Sequence, residues 1–303
     1  MPRIALATAV ATTGHDPDMP LLLEACARAG LDAQALAWDD PSVGWSRFDL
    51  VLLRSTWDYA LRRAEFLDWC GRVAACTRLL NPAPILEWNT DKHYLADLAA
   101  DGLPVIPCTF VEPDAEPIPA LQAFLEGGGH DDGFVVKPAV GAGARDAQRH
   151  TAQQEVAAAG HLARLLDAGR SVLLQPYLAE VDRHGETALV YLGGTFSHAA
   201  RKAALLGQGC DADGAPLAPE TITPAEASPA QRQLADTALD ALRRRFALEA
   251  PLPYARVDLI AAADGTPRLL ELELTEPSLF LPQAPGAAAR LVAALVARLE
   301  TGL

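Results

Sequence analysis

The segment RLLELELTEP, Arg268–Pro277, puts three acids, Glu271, Glu273 and Glu276, into a run whose other members read as a buried strand. Strand side chains alternate between faces, so Glu271 and Glu273 project to one side, about 7 Å apart by strand rise, and Leu270, Leu272 and Leu274 to the other. Two carboxylates that close repel each other, so the strand has to lie where they reach water, share a proton or share a cation. Upstream, ARVDLIAAADGTPRLLELEL reads as a hairpin turning at Asp264-Gly265, which sets Asp258 opposite the acidic strand. Asp258, Glu271 and Glu273 would then converge. Three carboxylates without histidine or thiol make a hard oxygen site, of the kind that takes magnesium together with substrate phosphates. The plain alternative is a solvent-facing polar flank. Glu276 breaks the alternation and precedes a proline, so it is expected outside the ligand set, as a more distant residue or a substrate contact.

Before that hairpin the chain alternates strands with helices. Strands at RIALATA, AQALAW and FDLVLLRS are interleaved with helices at LLLEACARAG and AEFLDWCGRVAAC, an α/β start that ends near residue 88, where prolines and an Asn-Thr-Asp signal mark a boundary. A second unit, 89–178, holds the helix DKHYLADLAADG, strands VIPCTF and GFVVKP, the helix VAAAGHLARLLDA and strand SVLLQPYL. A third, 179–303, opens with the hairpin GETALVYLGGTFSHAARKA, turning at Gly193-Gly194, and adds the helix PAQRQLADTALDALRRRFAL before the acidic hairpin. The stretch 211–228 reads as a surface loop or lid. A chain of 303 residues, 50% apolar, can bury a core of this extent. Its formal charge of -14 speaks against nucleic acid as a partner, because phosphate tracking needs a positive field. There is no run of 18 apolar residues, and MPRIALATAV lacks the basic region and long apolar core of a signal peptide, so no membrane association is expected and a cytoplasmic location is. Five cysteines without a CxxC pair are expected to be reduced and mostly in the core.

Of 25 basic residues only Lys92, Lys137 and Lys202 are lysine. Where any solvated cation serves, this chain uses arginine, so the lysines mark places that need a compact ammonium, as phosphate pockets do, unless the bias is one of coding alone. In FVVKPAVGAGARD a strand delivers Lys137, and Gly141, Ala142, Gly143 and Ala144 follow with side chains too small to keep phosphate from the backbone N–H groups. It is neither a Walker loop nor a Rossmann turn, since the lysine precedes the glycines and neither GK[ST] nor GxGxxG occurs; a flexible surface loop is the alternative. In LLRSTWDY, the residues Arg54, Ser55, Thr56, Asp58 and Tyr59 follow a strand end, where α/β units place ligands. A guanidinium suits a carboxylate and an Asp suits an ammonium, which together fit an amino-acid-like small molecule. The competing reading pairs Arg54 with Asp58 as a structural bridge. Trp57 lines that pocket or fills core, and His198, between two apolar runs, is expected to be packed or hydrogen-bonded rather than a catalytic base.

Lys92 opening a helix, Lys137 in VVKP before a small-residue loop, a strand ending QPYL, then R-x-D and E-x-E on paired strands together resemble the ATP-grasp family over essentially the whole chain. The resemblance implies an α/β (α+β) chain with the ATP-grasp fold behind an amino-terminal Rossmann-like domain. Residues 1–88 would form the substrate side, 89–178 the subdomain with the phosphate loop and 179–303 the subdomain with the metal site. It implies that Lys92 and Lys137 contact the α- and β-phosphates of ATP under the Gly141 to Ala144 loop, and that Gln175, Tyr177 and Leu178 form the adenine hinge. Glu180, or less surely Glu186, would take the ribose hydroxyls. Asp258, Glu271 and Glu273 would hold two Mg²⁺, Arg256 would stabilise the transferred phosphoryl group, and Lys202 would lie near the γ-phosphate or acyl phosphate. Many members carry Asn where this chain has Glu273, and the extra charge favours tighter metal binding or Mn²⁺. LLRSTWDY, WNTDKHYL and FSHAARK narrow the resemblance to the ATP-grasp branch that includes cycloserine synthetase, the O-ureido-D-serine cyclo-ligase, which implies antibiotic biosynthesis and a homodimer. The implied reaction is ADP-forming activation of a carboxylate as an acyl phosphate, followed by attack of an amine-type nucleophile from the same molecule. Two alternatives stay open: an intermolecular, dipeptide-type carboxylate-amine ligase, and a nucleotide-binding regulatory module without turnover. The intact set of lysines, acids and Arg256 speaks against the module.

Overall fold

A computed structural model of the chain describes residues 1–206 and 221–301. Strands β1 (Arg3–Thr8), β2 (Asp32–Ala37), β3 (Leu50–Ser55) and β4 (Arg78–Leu80) form a parallel sheet in the order β2-β1-β3-β4. The run LVLLRS is buried throughout because both faces are covered: Leu50 and Leu52 meet Leu22 and Cys26 of α1 (Met19–Arg28), while Val51 and Leu53 meet Phe66 and Trp69 of α2 (Arg63–Ala74). From β1 the chain goes to β2 on one side and then to β3 on the other. The carboxyl ends of β1 and β3 are therefore the switch point of this sheet, and there Ser55 donates to the Thr8 hydroxyl at 2.8 Å.

Helices α3 (Ala83–Asn89) and α4 (Tyr94–Ala100) lead to an antiparallel sheet in the order β5-β8-β6-β7. Its strands are β5 (Thr109–Val111), β6 (Phe134–Pro138), β7 (Gln148–His150) and β8 (Val172–Pro176). Phe124 of α5 (Pro117–Glu126) and Leu162 of α6 (Glu155–Asp167) cover Phe134 and Val136 on one face. VIPCTF does not form one strand, because Pro107 offers no donor: Val105 makes an isolated bridge to Leu269, and β5 starts at Thr109.

After α7 (Glu180–His184) comes a five-stranded antiparallel sheet, β11-β10-β9-β12-β13, built from β9 (Glu186–Leu192), β10 (Thr195–Lys202), β11 (Ile222–Ala225), β12 (Tyr254–Ala261) and β13 (Pro267–Glu273). The β9-β10 turn uses Gly193 and Gly194 at φ 59° and 79°, left-handed values that fit a tight hairpin. Of the stretch expected to be a loop or lid, 211–220 lies outside the described residues, and Ile222–Ala225 is not loop but a strand paired with β10. Alternate β9 residues face two cores. Leu189 and Tyr191 pack with α8 (Pro229–Arg245), whereas Ala188, Val190 and Leu192 join α9 (Ala287–Thr301), α1 and the first sheet in one cluster. That shared cluster fixes the end of β3 beside the exit of β13.

Strand β13 corrects the simple alternation. Asp258 faces Glu271 but Leu259 faces Leu269, so Leu270 is an extra residue, a bulge. Leu269, Leu272 and Leu274 share the core under α8, while Leu270 joins Ile106 and Tyr177 in a separate small cluster. Among the described residues no helix is long and apolar enough to cross a membrane. Cys26 and Cys70 are buried, Cys108 is half-buried and Cys76 is exposed, all with free thiols.

Candidate active site

The register of the third sheet lines up the charges. Lys202 at the end of β10 is opposite Glu186 at the start of β9; Asp258 of β12 lies beside Ala188 and opposite Glu271, and Arg256 lies opposite Glu273. Lys202 Nζ is 2.9 Å from Glu186 and 3.1 Å from Asp258. Arg256 donates to both Asp258 oxygens, at 2.8 and 2.9 Å, and also to Glu273. From the second sheet Lys137 donates to Glu271 at 3.0 Å, and Lys92, in the turn before α4, stands 3.7 Å from the same carboxylate. All three lysines of the chain thus meet acids in this cleft.

Burial raises every acid here, and the cations decide which stay ionised. At Glu271 the ammonium groups of Lys92, Lys137 and Lys202 outweigh burial and hold the carboxyl well below the usual range. Asp258 is likewise buried and held low by Arg256 and Lys202. At Glu273 burial prevails over Arg256 and takes the carboxyl to about 7; at Glu276 burial and the Glu273 charge take it to about 8. Among the described residues no three carboxylates close into a ready metal cage. The donor set still fits a divalent cation that arrives on phosphates, since magnesium takes one or two carboxylates and the substrate's oxygens rather than an all-protein cage.

The small-residue loop follows β6 directly. The Lys92 N–H donates to Ala139 O at 2.9 Å and its Nζ to Gly141 O at 3.1 Å, so the lysine is tied to the loop at both ends. Gly143 and Ala144 have φ of 62° and 56°, and at Ala144 this is a strained value of the kind found at ligand clamps. Val140 and Ala142 lie against the first unit's aromatic core, which includes Tyr59. At the other end of the cleft Gln175 is buried, its amide directed to Ile106 O at 3.4 Å and Cys108 Sγ at 3.3 Å. The Tyr177 N–H bonds Gly133 O, and Arg149 lies 3.5 Å over its ring. Tyr177, Leu178, Ile106 and Leu270 form an apolar wall suited to a flat base. Of the two acids expected at the ribose, Glu180 is paired with Arg183 on α7, and Glu186 stands in the charged cleft against Lys202.

After β3 the arrangement differs from the expected substrate pocket. Arg54, Ser55 and Thr56 are at most 1% exposed, so their side chains face protein rather than solute. Arg54 does not bridge to Asp58: it donates to Asp18 and to Pro277 O, both at 3.1 Å, with Asp16 at 3.9 Å. Its Nε and Nη1 are buried without a hydrogen-bond partner among the described residues. Asp58 accepts from Trp38 Nε1 at 2.8 Å and from Arg62 at 3.2 Å. Tyr59 is buried, and burial together with Glu276, Glu273 and Glu271 pushes its phenol well above the ordinary value, which sets it in the field of the acid cleft.

The segment leaving β13 carries no sequence pattern that announces its role. Six successive carbonyls each accept a bond from a different side chain: Leu274 from Asn81 at 2.6 Å, Thr275 from Tyr254 at 2.7 Å, Glu276 from Trp57 at 3.1 Å, Pro277 from Arg54, Ser278 from Arg256 at 3.0 Å and Leu279 from His198 at 2.8 Å. Asn89 accepts the Leu274 N–H at 2.8 Å, and Asp18 accepts those of Leu279 and Leu281 at 2.6 and 2.8 Å. Without a strand ladder, this strap satisfies its backbone from both flanking units. The only local hint was the DPDM sequence at the start of α1, which reads as ordinary helix capping.

Residues 4–81 match the family described as D-cycloserine synthetase DcsG, N-terminal domain. The chain is 44% identical over 299 residues to the cycloserine biosynthesis protein DcsG of Streptomyces lavendulae, covering 98% of this chain and 99% of that protein. It is similar to the crystal structure of D-cycloserine synthetase DcsG with a TM-score of 0.91 at 43% identity, covering 98% and 99% of the two chains. The ATP-grasp ligase PsnB, complexed with a phosphomimetic variant of its minimal precursor, Mg and ADP, shares the fold at a TM-score of 0.64 and 20% identity, over 98% and 99% of the chains.

Proposed function

The chain belongs to the D-cycloserine synthetase family of ATP-grasp ligases, and from that premise we propose that it closes the ring of D-cycloserine from O-ureido-D-serine. The observation that carries this reading is the cleft in which Lys92, Lys137, Lys202 and Arg256 interlock with Glu271, Asp258 and Glu273. Without a ligand these charges neutralise one another; a nucleotide triphosphate with divalent cations supplies anions to the lysines and cations to the acids together. In this reading residues 1–88 form the substrate side, 89–178 the phosphate-loop subdomain and 179–303 the metal subdomain. Lys92, Lys137 and the Gly141 to Ala144 backbone hold phosphates, Gln175, Tyr177 and Leu178 border the base, and Glu180 takes the ribose. Glu186 acts instead by orienting Lys202. Asp258, Glu271 and Glu273 would hold two Mg²⁺, replaceable by Mn²⁺, which when bound neutralise charge between the phosphates.

The substrate carboxylate attacks the γ-phosphorus, ADP leaves, and Lys202 and Arg256 stabilise the charge on the phosphoryl group and the acyl phosphate. The oxygen-linked nitrogen of the ureido group then attacks the acyl carbon, expelling phosphate and closing the five-membered ring. One water removes the carbamoyl group as CO₂ and ammonia. Because the nucleophile belongs to the same molecule, proximity favours closure over hydrolysis of the acyl phosphate, and the small-residue loop limits access of water. Arg54, Ser55 and Thr56 shape the substrate side from beneath; Trp57 and Tyr59 stand nearer the cleft, with Asp58 held behind them by Trp38 and Arg62.

The test is ADP release with Mg²⁺-ATP across D- and L-amino acids including O-ureido-D-serine, with products read by mass spectrometry. ADP together with a cyclic product from that compound supports the reading. ADP from other acids, or only from pairs of them, replaces the substrate and points to an intermolecular ligase. ATP binding without ADP from any acid would leave the regulatory module.

A further inference from the structure

Among the described residues the acids of the cleft are paired with cations, with one exception. Asp258 and Glu273 have Arg256, Glu186 has Lys202 and Glu271 has Lys137. Among the described residues Glu276 has no such partner, although it is not peripheral. Its charge is felt by Tyr59 and Tyr254 on one side, and it lies in the field of Glu273, Lys92 and Arg256 on the other. Nor can its main chain drift. The Glu276 carbonyl is bonded by Trp57, the next by Arg54 and the one after by Arg256, so the residue sits on a main chain held from both flanking units.

An acidic side chain beside a carboxylate-activating cleft, with no ion-pair partner among the described residues, holds its proton until a cation arrives to take that place. The acids of β12 and β13 would hold the divalent ions that accompany the phosphates, which leaves one positive charge that an amino-acid substrate brings: its ammonium. In an α-amino acid the ammonium and the carboxylate are attached to one carbon, so the acceptor of the first must adjoin the place where the second is phosphorylated. Glu276 follows Glu273 by three residues on the strap that leaves the acidic strand. We propose that Glu276 receives the substrate's amino group and that the side-chain-bonded strap holds it there. This assignment rests on the reading of the protein as an amino-acid ligase and names a substrate-specificity residue within it.

A substrate-by-variant cycle decides it. Wild type and Glu276→Gln are assayed for ADP release with O-ureido-D-serine and with its analogue lacking the amino group, and KM for ATP is measured in both. Wild type should prefer the amino compound. In Glu276→Gln, kcat/KM for the amino compound should fall by about 100-fold, the scale of a charge-assisted bond lost to a desolvated partner. The preference should collapse towards unity, with KM for ATP unchanged, and Glu276→Asp should restore part of it. Equal losses for both compounds, a raised KM for ATP, or an intact preference would each overturn the assignment. If neither compound yields ADP with wild type, the ring-closing reading has failed on its own. The same cycle, run with the amino acid that does yield ADP and its deaminated counterpart, still decides Glu276.

Discussion

Replacing Asp18 by Asn should uncouple the first sheet from the strap. Asp18 is 0% exposed, accepts the N–H groups of Leu279 and Leu281 at 2.6 and 2.8 Å, and pairs with Arg54 at 3.1 Å. The amide keeps the volume and one acceptor oxygen, so one N–H bond survives. The other is lost, worth about 1.5–3 kcal/mol with a charged acceptor. Arg54 loses its close counter-charge as well, Asp16 being 3.9 Å away. Breaking a buried ion pair from one side costs about 3–5 kcal/mol. The two losses share one charge and so overlap, giving about 4 kcal/mol in all. At roughly 2 °C per kcal/mol, the low end of the range for large domains, Tm should drop by about 8 °C. Adding Arg54→Met removes the stranded guanidinium, and at least about 2 kcal/mol should return, because apolar replacement of a buried pair is close to neutral. Thermal and denaturant unfolding of the four proteins measures this directly. A loss below about 1 kcal/mol for Asp18→Asn, or a double variant no more stable than that single one, would refute the charge-based tie.

The remaining predictions concern the cleft. Glu271→Gln should reduce ADP release by at least about 1000-fold with cooperative unfolding retained, because it removes a proposed metal ligand and the partner of Lys137 but little volume; near-normal turnover would sink the site. Lys137→Arg should lower kcat/KM for ATP by about 10-fold or more, since a planar fork does not replace a compact ammonium; full activity would discredit the reading of lysine scarcity. Burial raises Glu276 to about 8 from the ordinary 4.5 of a free glutamate, so the folded ligand-free protein keeps a proton that the unfolded chain loses. That contribution is complete below about 4.5 and disappears as pH rises through about 8. Glu276→Gln should therefore gain in Tm relative to wild type between pH 5 and 8 in melts without ATP or metal, and a difference independent of pH would contradict the burial of this carboxyl.

The parts of the site that repeat or alternate were legible. The hairpin register follows from a two-residue period and an Asp-Gly turn, so Asp258 opposite Glu271 could be read directly. The lysine count pointed to one place because arginine had replaced lysine elsewhere, and Lys92, Lys137 and Lys202 do meet around two acids, Glu271 and Asp258. Where a period fails, so did the reading. The bulge at Leu270 reverses its face without a glycine or proline to announce it, and Pro107 cuts a run that composition alone would continue. Arg54 was legible as special but not its partner, since Asp18 lies 36 residues away in a motif that reads as a helix cap.

The strap was beyond sequence reasoning for a physical reason. Pro277 and the irregular TEPSLFL sequence rule out a ladder, so its carbonyls must be satisfied by side chains, and those come from residues up to 223 positions away. No local pattern encodes bonds of that span; they exist only once the shared core of α1, α9, β3 and β9 has docked the first sheet on the third. The acids proposed to hold metal do not depend on that docking in the same way, because Asp258, Glu271 and Glu273 are fixed by strand pairing within one hairpin. In the proposed reading the metal-side acids are therefore held by a ladder, and Glu276 by the contact between sheets. Substitutions that loosen that contact, at Asp18, Trp57 or Asn81, should raise KM for the amino acid while leaving KM for ATP nearly unchanged, and an equal rise in both would show that the strap and the hairpin move as one body.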